Sequence, residues 1–225
     1  DNGVTYKGFI GNDTAESLGL TPVYNYTYAA DAGSSYTPGS PVGTYRIVPG
    51  GLTAKDYSFT YIQGNMTVSK KPLAESMFTV SDDGLIYDRT EKKPSVTGKD
   101  IVQTAELLKT SDYTLAYSNN IKAGTGTASV TVTAVSAGNY SGSVTKKFSI
   151  AQRGVTVTAA PAQSAYNEDI AALEYSMTAG DIVKGDDLRL EAKTSVRKGY
   201  AAGTYAKAVT VGYDSGNTDY AVTVI

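Results

Sequence analysis

The chain has 225 residues, a formal net charge of −2 at pH 7 and 19% charged residues, and it contains neither cysteine nor histidine. Without these residues, disulfides, thiolate or imidazole metal sites, cysteine nucleophiles and a Ser-His-Asp triad are excluded. The small net charge predicts no basic face that would bind nucleic acid. The sequence contains no run of 18 apolar residues, so no membrane insertion is predicted for this segment. We therefore expect a protein that is not an enzyme and that has no cofactor and no metal site.

Strand signals follow one another along the chain, separated by turns rich in Gly, Asn and Asp. Residues 57–62 alternate, and after the interruption at Gly64-Asn65 a strand pattern resumes at 66–68. Residues 128–135 place valines on one face and hydroxyl groups on the other, and 155–159 repeats this pattern. Such alternation predicts half-buried strands, and therefore an all-β fold. The helix-forming stretches 104–109 and 169–173 are short, so we expect them to be connectors.

A phrase made of a Gly-Thr step, a strand-forming run, and then Asp or Asn before Tyr occurs three times. The copies are Val42-Gly43-Thr44-Tyr45 with Asp56-Tyr57, Gly126-Thr127-Ala128 with Asn139-Tyr140, and Ala202-Gly203-Thr204-Tyr205 with Asp219-Tyr220. The closing tyrosines are 83 and 80 residues apart, which is the length of a small domain. The sequence therefore predicts three tandem modules at 1–69, 70–151 and 152–225, and their short joints predict an elongated arrangement.

The first and third predicted modules resemble MBG domains, which are Ig-like modules of bacterial cell surfaces. In the first module the matching residues are Gly8-Phe9-Ile10-Gly11-Asn12-Asp13-Thr14, Ser40-Pro41-Val42-Gly43-Thr44-Tyr45 and Asp56-Tyr57. In the third they are Leu173-Glu174-Tyr175-Ser176, Lys184-Gly185-Asp186, Ala202-Gly203-Thr204-Tyr205 and Asp219-Tyr220.

The middle predicted module is similar to a different Ig-like repeat of Gram-positive and gut-bacterial surface proteins. Its markers are Tyr87-Asp88, Lys93-Pro94, Asp112-Tyr113-Thr114, Tyr117-Ser118-Asn119-Asn120, Ala123-Gly124-Thr125, Gly138-Asn139-Tyr140-Ser141-Gly142 and Phe148-Ser149-Ile150. These resemblances imply three tandem Ig-like β-sandwich domains. The first lacks the opening strand that the third has around 155–166, and the third lacks the end of the closing strand that the first completes at Val68. We therefore expect incomplete outer domains with an unpaired sheet edge.

Tyr24, Tyr26 and Tyr28 are the candidate ligand-binding residues. Alternation places their rings on one face of a strand, where aromatic rings can stack on sugars. The alternative is that this face packs into the core of a sandwich, and we favour that alternative because core faces of strands are also aromatic.

The other candidate positions favour structural roles. Tyr57, Tyr140 and Tyr220 are each expected to fill a sandwich while the hydroxyl group binds backbone, as in a tyrosine corner. The loop 214–219 alternates oxygen side chains as a calcium loop does, but a polar hairpin turn explains it more simply. Asp186 and Asp187 are expected in a solvated turn. A Lys–Asn isopeptide crosslink stays open, because the sequence does not pair a particular Lys with a particular Asn.

The resemblance implies a non-catalytic extracellular repeat segment of a bacterial surface protein, secreted or attached to the cell wall. Such a segment would act as a stalk or spacer, or as an adhesin module. The alternatives are a lectin-like module that binds host glycan or matrix protein, and accessory domains of a larger secreted enzyme. The residues show no patch for self-association, so we expect a monomer.

Overall fold

A computed structural model of the chain describes residues 3–30, 33–100, 106–107 and 109–225. The described residues form an all-β structure with several separate sheets, as the sequence predicts, and their one helical element is a 3₁₀ turn at Glu75–Met77. The strands are β1 (Val23–Tyr28), β2 (Gly43–Gly50), β3 (Gly64–Val68), β4 (Lys71–Pro72), β5 (Phe78–Ser81), β6 (Ser95–Lys99), β7 (Glu106–Leu107) and β8 (Tyr113–Ser118). They continue with β9 (Gly124–Ala134), β10 (Tyr140–Ser141), β11 (Ser143–Ile150), β12 (Arg153–Ala159), β13 (Tyr175–Ala179), β14 (Glu191–Thr194), β15 (Val209–Gly212) and β16 (Tyr220–Val224).

The chain packs into two units. Unit one comprises Asp1–Leu73, Asp100–Thr114 and Thr133–Ser143, and unit two comprises Ala74–Lys99, Leu115–Val132 and Val144–Ile225. Each unit combines residues from two of the predicted modules, and the boundaries of the three modules stay a prediction.

Unit one contains an antiparallel sheet of β1, β2 and β3, in that order. Tyr26 lies opposite Ile47, and Tyr45 lies opposite Met66. A second, two-stranded sheet pairs β4 with β10 in parallel, with Lys71 opposite Tyr140. Tyr45 is 2% exposed, and its buried ring lies at the centre of the aromatic packing of this unit.

Unit two contains most of the apolar core. The period-two pattern predicted for β9 is confirmed, because Ala128, Val130 and Val132 are fully buried while the residues between them are more exposed. The pattern of β12 is confirmed in the same way by the buried side chains of Val155 and Val157.

The third predicted module, within unit two, contributes two small sheets. In one of them, β12 lies between β13 and β16, antiparallel to the former and parallel to the latter. In the other, β14 pairs antiparallel with β15.

Residues 169–173 contain neither helix nor strand and form a connector, as expected. In the other expected connector, 104–109, Glu106–Leu107 is a short strand, while Thr104, Ala105 and Leu108 lie outside the described residues. The interruption predicted at Gly64-Asn65 is wrong, because both residues lie in β3. The strand predicted over 57–62 is also wrong, because Tyr57 makes only an isolated bridge with Ala54 and residues 58–62 form no strand. A strand needs a neighbour for its backbone hydrogen bonds, and no described segment pairs with these residues.

Candidate functional site

The closing tyrosine of the first predicted module binds a turn far away in the sequence. The hydroxyl group of Tyr57 accepts a hydrogen bond from the N–H of Ile10 at 3.0 Å and donates one to Asp13 Oδ2 at 2.7 Å. Ile10 and Asp13 are the ends of a turn in which Gly11 has φ +65°, a conformation that favours glycine. The ring of Tyr57 lies edge-on to Phe9, with centroids 5.6 Å apart. The tyrosine therefore ties its segment to the turn by both its ring and its hydroxyl group.

The closing tyrosine of the third predicted module makes the same two bonds. The hydroxyl group of Tyr220 accepts the N–H of Val183 at 2.9 Å and donates to Asp186 Oδ2 at 2.7 Å. Val183 and Asp186 again end a turn that contains a glycine, Gly185, with φ +93°. Two segments that share the Gly-Thr-Tyr and Asp-Tyr phrases therefore share a tyrosine–aspartate pair, which supports the predicted likeness of the outer modules.

The closing tyrosine of the middle predicted module also pairs with an aspartate. In unit one, Tyr140 donates to Asp100 Oδ2 at 3.2 Å, and Asp100 is 1% exposed. Lys71 Nζ lies 2.6 Å and 2.8 Å from the two oxygens of the same carboxylate. The buried aspartate is therefore neutralised by a lysine and bound by a tyrosine, as buried charge requires.

The Asn or Asp before the closing tyrosine has its own partner, which belongs to the preceding predicted module. In unit one, Asn139 Oδ1 accepts the N–H of Val42 at 3.0 Å. In unit two, Asp219 Oδ1 accepts the N–H of Ala123 at 2.8 Å, and Lys122 Nζ lies 2.6 Å from Asp219 Oδ2. The residue that is bound stands in both cases directly before a Gly-Thr step. We call these two bonds the cap bonds.

The Asp186 carboxylate lies in a buried polar cluster of unit two. Its Oδ2 also accepts the hydroxyl group of Tyr87 at 3.0 Å, and Arg89 Nη1 lies 3.3 Å from its Oδ1. The rings of Tyr87 and Tyr220 meet edge-on with centroids 5.5 Å apart, and Lys122 Nζ lies 5.6 Å from the Tyr87 centroid. Two cations and two carboxylates therefore compensate one another around two buried tyrosines.

Burial and hydrogen bonds together set the pKa values of these tyrosines. Burial and the hydrogen bond to Asp186 raise the pKa of Tyr87 and of Tyr220 to about 12. Burial and the charge of Asp100 raise the pKa of Tyr140 to about 12. The N–H of Ile10 lowers the pKa of Tyr57, but the bond to Asp13 and desolvation outweigh it, so that this pKa is also raised. All four hydroxyl groups are therefore neutral at physiological pH and available as hydrogen-bond donors.

The Gly-Thr-Tyr step has a common geometry in the outer predicted modules. Tyr45 donates its hydroxyl hydrogen bond to the carbonyl of Pro41 at 2.8 Å, and Tyr205 donates to the carbonyl of Ala201 at 2.6 Å, in both cases four residues back. Gly43 is required here, since it has φ +150° and a Cβ would lie 2.6 Å from the Tyr28 ring. Gly203 has no such restriction, because its φ is not positive and a Cβ there would meet nothing within 4 Å.

The structure places the candidate tyrosines of β1 on one face, as the alternation predicts. Tyr24, Tyr26 and Tyr28 are half-buried and lie opposite Pro49, Ile47 and Tyr45. Tyr28 packs on Tyr45 with centroids 5.0 Å apart, and Tyr26 packs on Tyr36 at 6.5 Å. This aromatic packing is the core role weighed from the sequence, and a sugar-binding role for the three residues stays a prediction.

In the oxygen-rich loop 214–219, Asp214 and Asn217 direct their side chains to the backbone of the loop itself, while Asp219 makes the cap bond to Ala123. Asp214 Oδ1 accepts the N–H of Gly216 at 3.0 Å, and Asn217 Oδ1 accepts that of Asp219 at 3.1 Å. These bonds form a polar turn, which is the simpler explanation given from the sequence. Among residues 3–30, 33–100, 106–107 and 109–225, no three Asp or Glu side chains come together as a metal site would need.

Sequence reasoning missed the role of Asp186. We expected a solvated turn, whereas the carboxylate accepts two tyrosine hydroxyl groups and its side chain is 13% exposed. The partner tyrosines lie 34 and 99 residues away, so no local pattern indicates them. The available signal was the glycine-containing turn before an aspartate, which both outer modules share.

Comparison with known families gives one match. Residues 1–67 match the family model of the MBG domain, YGX type. This match supports an MBG-type module in the first predicted position. Domains of this family are typical of extracellular bacterial surface proteins, where they form repeat modules. Searches of curated proteins and of solved structures found no match. No helix within the described residues is long and apolar enough to cross a membrane.

Proposed function

We propose that this chain is a non-catalytic spacer segment of an extracellular bacterial surface protein, built from tandem modules whose joints resist bending. The observation that carries this proposal is the pair of cap bonds. In each, the Asn or Asp before the closing tyrosine of one predicted module accepts an N–H of the preceding module, across 97 and 96 residues. The donors are Val42, directly before Gly43-Thr44, and Ala123, directly before Gly124-Thr125. A repeated bond between neighbours is what a regular, stiff row of modules requires.

The second cap bond has further support around it. The Lys122–Asp219 ion pair, the Tyr87–Tyr220 ring contact and the Tyr87–Asp186 hydrogen bond all join residues of the middle and third predicted modules within unit two. Arg89 of the middle module adds to them, because its Nη1 donates to the carbonyl of Lys184 in the third module at 3.4 Å. A joint that combines ring packing, buried hydrogen bonds and an ion pair restricts hinge motion more than a flexible linker does.

Distance measurements between two spin labels test this stiffness. The natural chain has no cysteine, so Thr97→Cys and Ser176→Cys place one label on β6 and one on β13, both exposed positions of unit two. We expect one narrow distance distribution, which broadens when Asp219→Ala and Tyr87→Phe are combined. Asp169→Ala is the matched control, because that side chain is 88% exposed and lies away from the joint. A broad distribution without any joint substitution would contradict the spacer role.

A further inference from the structure

We propose that two copies of this chain associate side by side through the edge strand β13 of unit two. The two β13 strands run antiparallel, with Tyr175 of one copy opposite Tyr175 of the other. Strand pairing of this kind obtains its affinity from backbone hydrogen bonds and its specificity from alternate side chains. The contact lies between chains and is independent of the joints within one chain.

The outer side of β13 has an unpaired backbone. The strand lies at the edge of its sheet, which has the order β13-β12-β16. The N–H of Ala160 donates to the carbonyl of Glu174 at 3.0 Å, so the backbone of Glu174 faces β12. Backbone groups alternate in direction along a strand, and those of Leu173, Tyr175 and Met177 therefore point away from β12. No described segment pairs with this side of β13.

The apolar side chains of this edge continue the core face of the module. Met177 lies opposite Val157, which is 0% exposed, and Tyr175 lies opposite Ala159. Met177 itself is 43% exposed and Tyr175 is 41% exposed. The two side chains therefore lie at the rim of a buried layer, and a further strand beside β13 would cover them.

The middle predicted module has a strand in the corresponding place. Its sheet has the order β5-β6-β7, and β5 pairs antiparallel with β6 as β12 does with β13. Leu107 of β7 is 5% exposed, so the added strand completes the core there. In the third predicted module the stretch between β13 and β14 forms no strand and contains the turn that ends at Asp186. The position beside β13 therefore accepts a strand that this module does not place there.

The additional strand of the first predicted module belongs to a different sheet. In unit one, β3 follows the closing tyrosine segment and pairs with β2, the strand of the Gly-Thr-Tyr step. The corresponding step of the third predicted module, at 203–205, leads into β15, which pairs with β14. A strand that continued the third module in the manner of β3 would join β15 and leave β13 free.

The register follows from the extent of the free edge. A bulge after Met177, where the pairing with β12 skips Thr178, ends the regular part of β13. The free backbone therefore runs from Leu173 to Met177 and is centred on Tyr175. An antiparallel pair with Tyr175 on the two-fold axis uses this edge fully, and each outward-facing residue then donates one backbone bond and accepts one.

This edge is complementary to itself. In the centred register, Leu173 of each copy lies opposite Met177 of the other, so apolar side chains meet on the core face. On the opposite face Glu174 lies opposite the hydroxyl group of Ser176, so no like charges face each other. Edges that resist pairing commonly carry Lys or Pro, and this segment has neither. The formal net charge of −2 also gives little repulsion between two copies.

Sedimentation velocity of the full chain over a concentration series tests the association. We expect a reversible equilibrium between monomer and dimer, which Met177→Lys weakens about tenfold or more because the contact would bury an unpaired ammonium group. Thr210→Lys is the matched control, since it adds the same charge at an exposed position of β15 in the same unit and should leave the equilibrium unchanged. A chain that stays monomeric at concentrations on the order of 1 mM would overturn the proposal.

Amide exchange followed by NMR locates the contact. Raising the concentration should slow exchange at Leu173, Tyr175 and Met177 by about tenfold or more and leave Ser176 unchanged, because the Ser176 amide already faces β12. Protection of the three amides in dilute monomer would overturn the proposal, since the chain itself would then cover the edge. A dimer protected elsewhere would overturn it as well.

A crosslinking experiment tests the register. The natural chain has no cysteine, and Tyr175→Cys places two thiols directly opposite each other across the axis, within the Cα separation that a disulfide spans. We expect this variant to form disulfide-linked dimers about tenfold faster or more than Thr210→Cys, whose thiol lies away from the contact. Equal rates for the two variants would contradict the antiparallel pair centred on Tyr175.

Discussion

The tyrosine–aspartate pairs of the two units have the same bonds and different surroundings. Tyr57 and Tyr220 each accept a backbone N–H and donate to an aspartate at 2.7 Å. Tyr220 is nevertheless 4% exposed, whereas Tyr57 is only half-buried. Both tyrosines have an aromatic ring edge-on to them, Phe9 for Tyr57 and Tyr87 for Tyr220. The difference is β12, which pairs in parallel with the strand of Tyr220, whereas no described strand pairs in this way beside Tyr57. The pair is therefore formed by local turn chemistry, while its burial depends on the neighbouring strand.

The Gly-Thr-Tyr steps also have the same local bonds and a different degree of burial. Tyr45 and Tyr205 make the same hydroxyl bond four residues back, but Tyr45 is 2% exposed and Tyr205 is 42% exposed. Tyr45 packs between the rings of Tyr28 and Tyr36, and Tyr205 contacts the ring of Tyr200 with centroids 5.9 Å apart. The same phrase thus contributes a core residue in one place and a surface residue in the other.

The largest difference is expected between Tyr45→Ala and Tyr205→Ala. Removing a buried aromatic side chain leaves a cavity and costs about 3–5 kcal/mol, while the exposed ring should cost about 0.5 kcal/mol. Denaturant unfolding followed by hydrogen-exchange mass spectrometry gives the loss for each unit separately. Equal losses would show that the burial difference between the two rings is wrong.

A second comparison sets Asp186→Ala against Asp13→Ala. Loss of Asp186 leaves two buried tyrosine hydroxyl groups and Arg89 without their acceptor, for which we expect a loss of about 3 kcal/mol in unit two. Asp13 serves one half-buried tyrosine, and water can replace it, so the loss in unit one should be clearly smaller. Amide exchange in β16 gives the free energy of unfolding for unit two, and amide exchange in residues 9–13 gives it for unit one. A larger effect at Asp13 would reverse the comparison.

Alkaline pH tests the buried tyrosine–aspartate pairs of unit two. Folding raises the pKa of Tyr87 and Tyr220 from 10.0 to about 12. Because the folded pKa lies above the unfolded one, their contribution to stability is complete below pH 10 and is lost as pH rises from 10 towards 12. Unit two should therefore lose stability in this range, and Tyr220→Phe should flatten the loss. A pH-independent stability of unit two between these values would contradict the buried pairs.

The smallest comparison concerns the glycines before the two steps. Gly43→Ala forces a Cβ to within 2.6 Å of the Tyr28 ring at a positive φ, and should cost about 1–2 kcal/mol. Gly203→Ala meets no neighbour and has no positive φ, so thermal unfolding should show no loss. A destabilised Gly203→Ala chain would mean that the third step is more tightly packed than its exposure indicates.

The sequence predicted the parts of this fold that depend on local pattern. Alternation located β9 and β12 and identified the buried face of each strand. That face carries Val130 and Val132 in β9, and Val155 and Val157 in β12. Alternation also grouped the β1 tyrosines on one side of a strand.

The rest depends on contacts distant in sequence. The partner of each closing tyrosine lies 34 to 44 residues before it, at a spacing that differs among the three pairs, so Asp13, Asp100 and Asp186 could not be selected from their neighbours. Residues 58–62 of the predicted strand 57–62 failed to form a strand for a related reason. Alternation indicates that a segment can be a strand, but a second segment must lie beside it to complete the hydrogen bonds.

The most direct measurement is amide exchange at Val42 and Ala123, the two donors of the cap bonds. If neighbouring predicted modules are joined by these bonds, both amides exchange slowly, Asn139→Ala releases only Val42, and Asp219→Ala releases only Ala123. If both amides exchange as fast as those of an exposed loop in the unsubstituted chain, the joints are not held in this way and the spacer account is wrong.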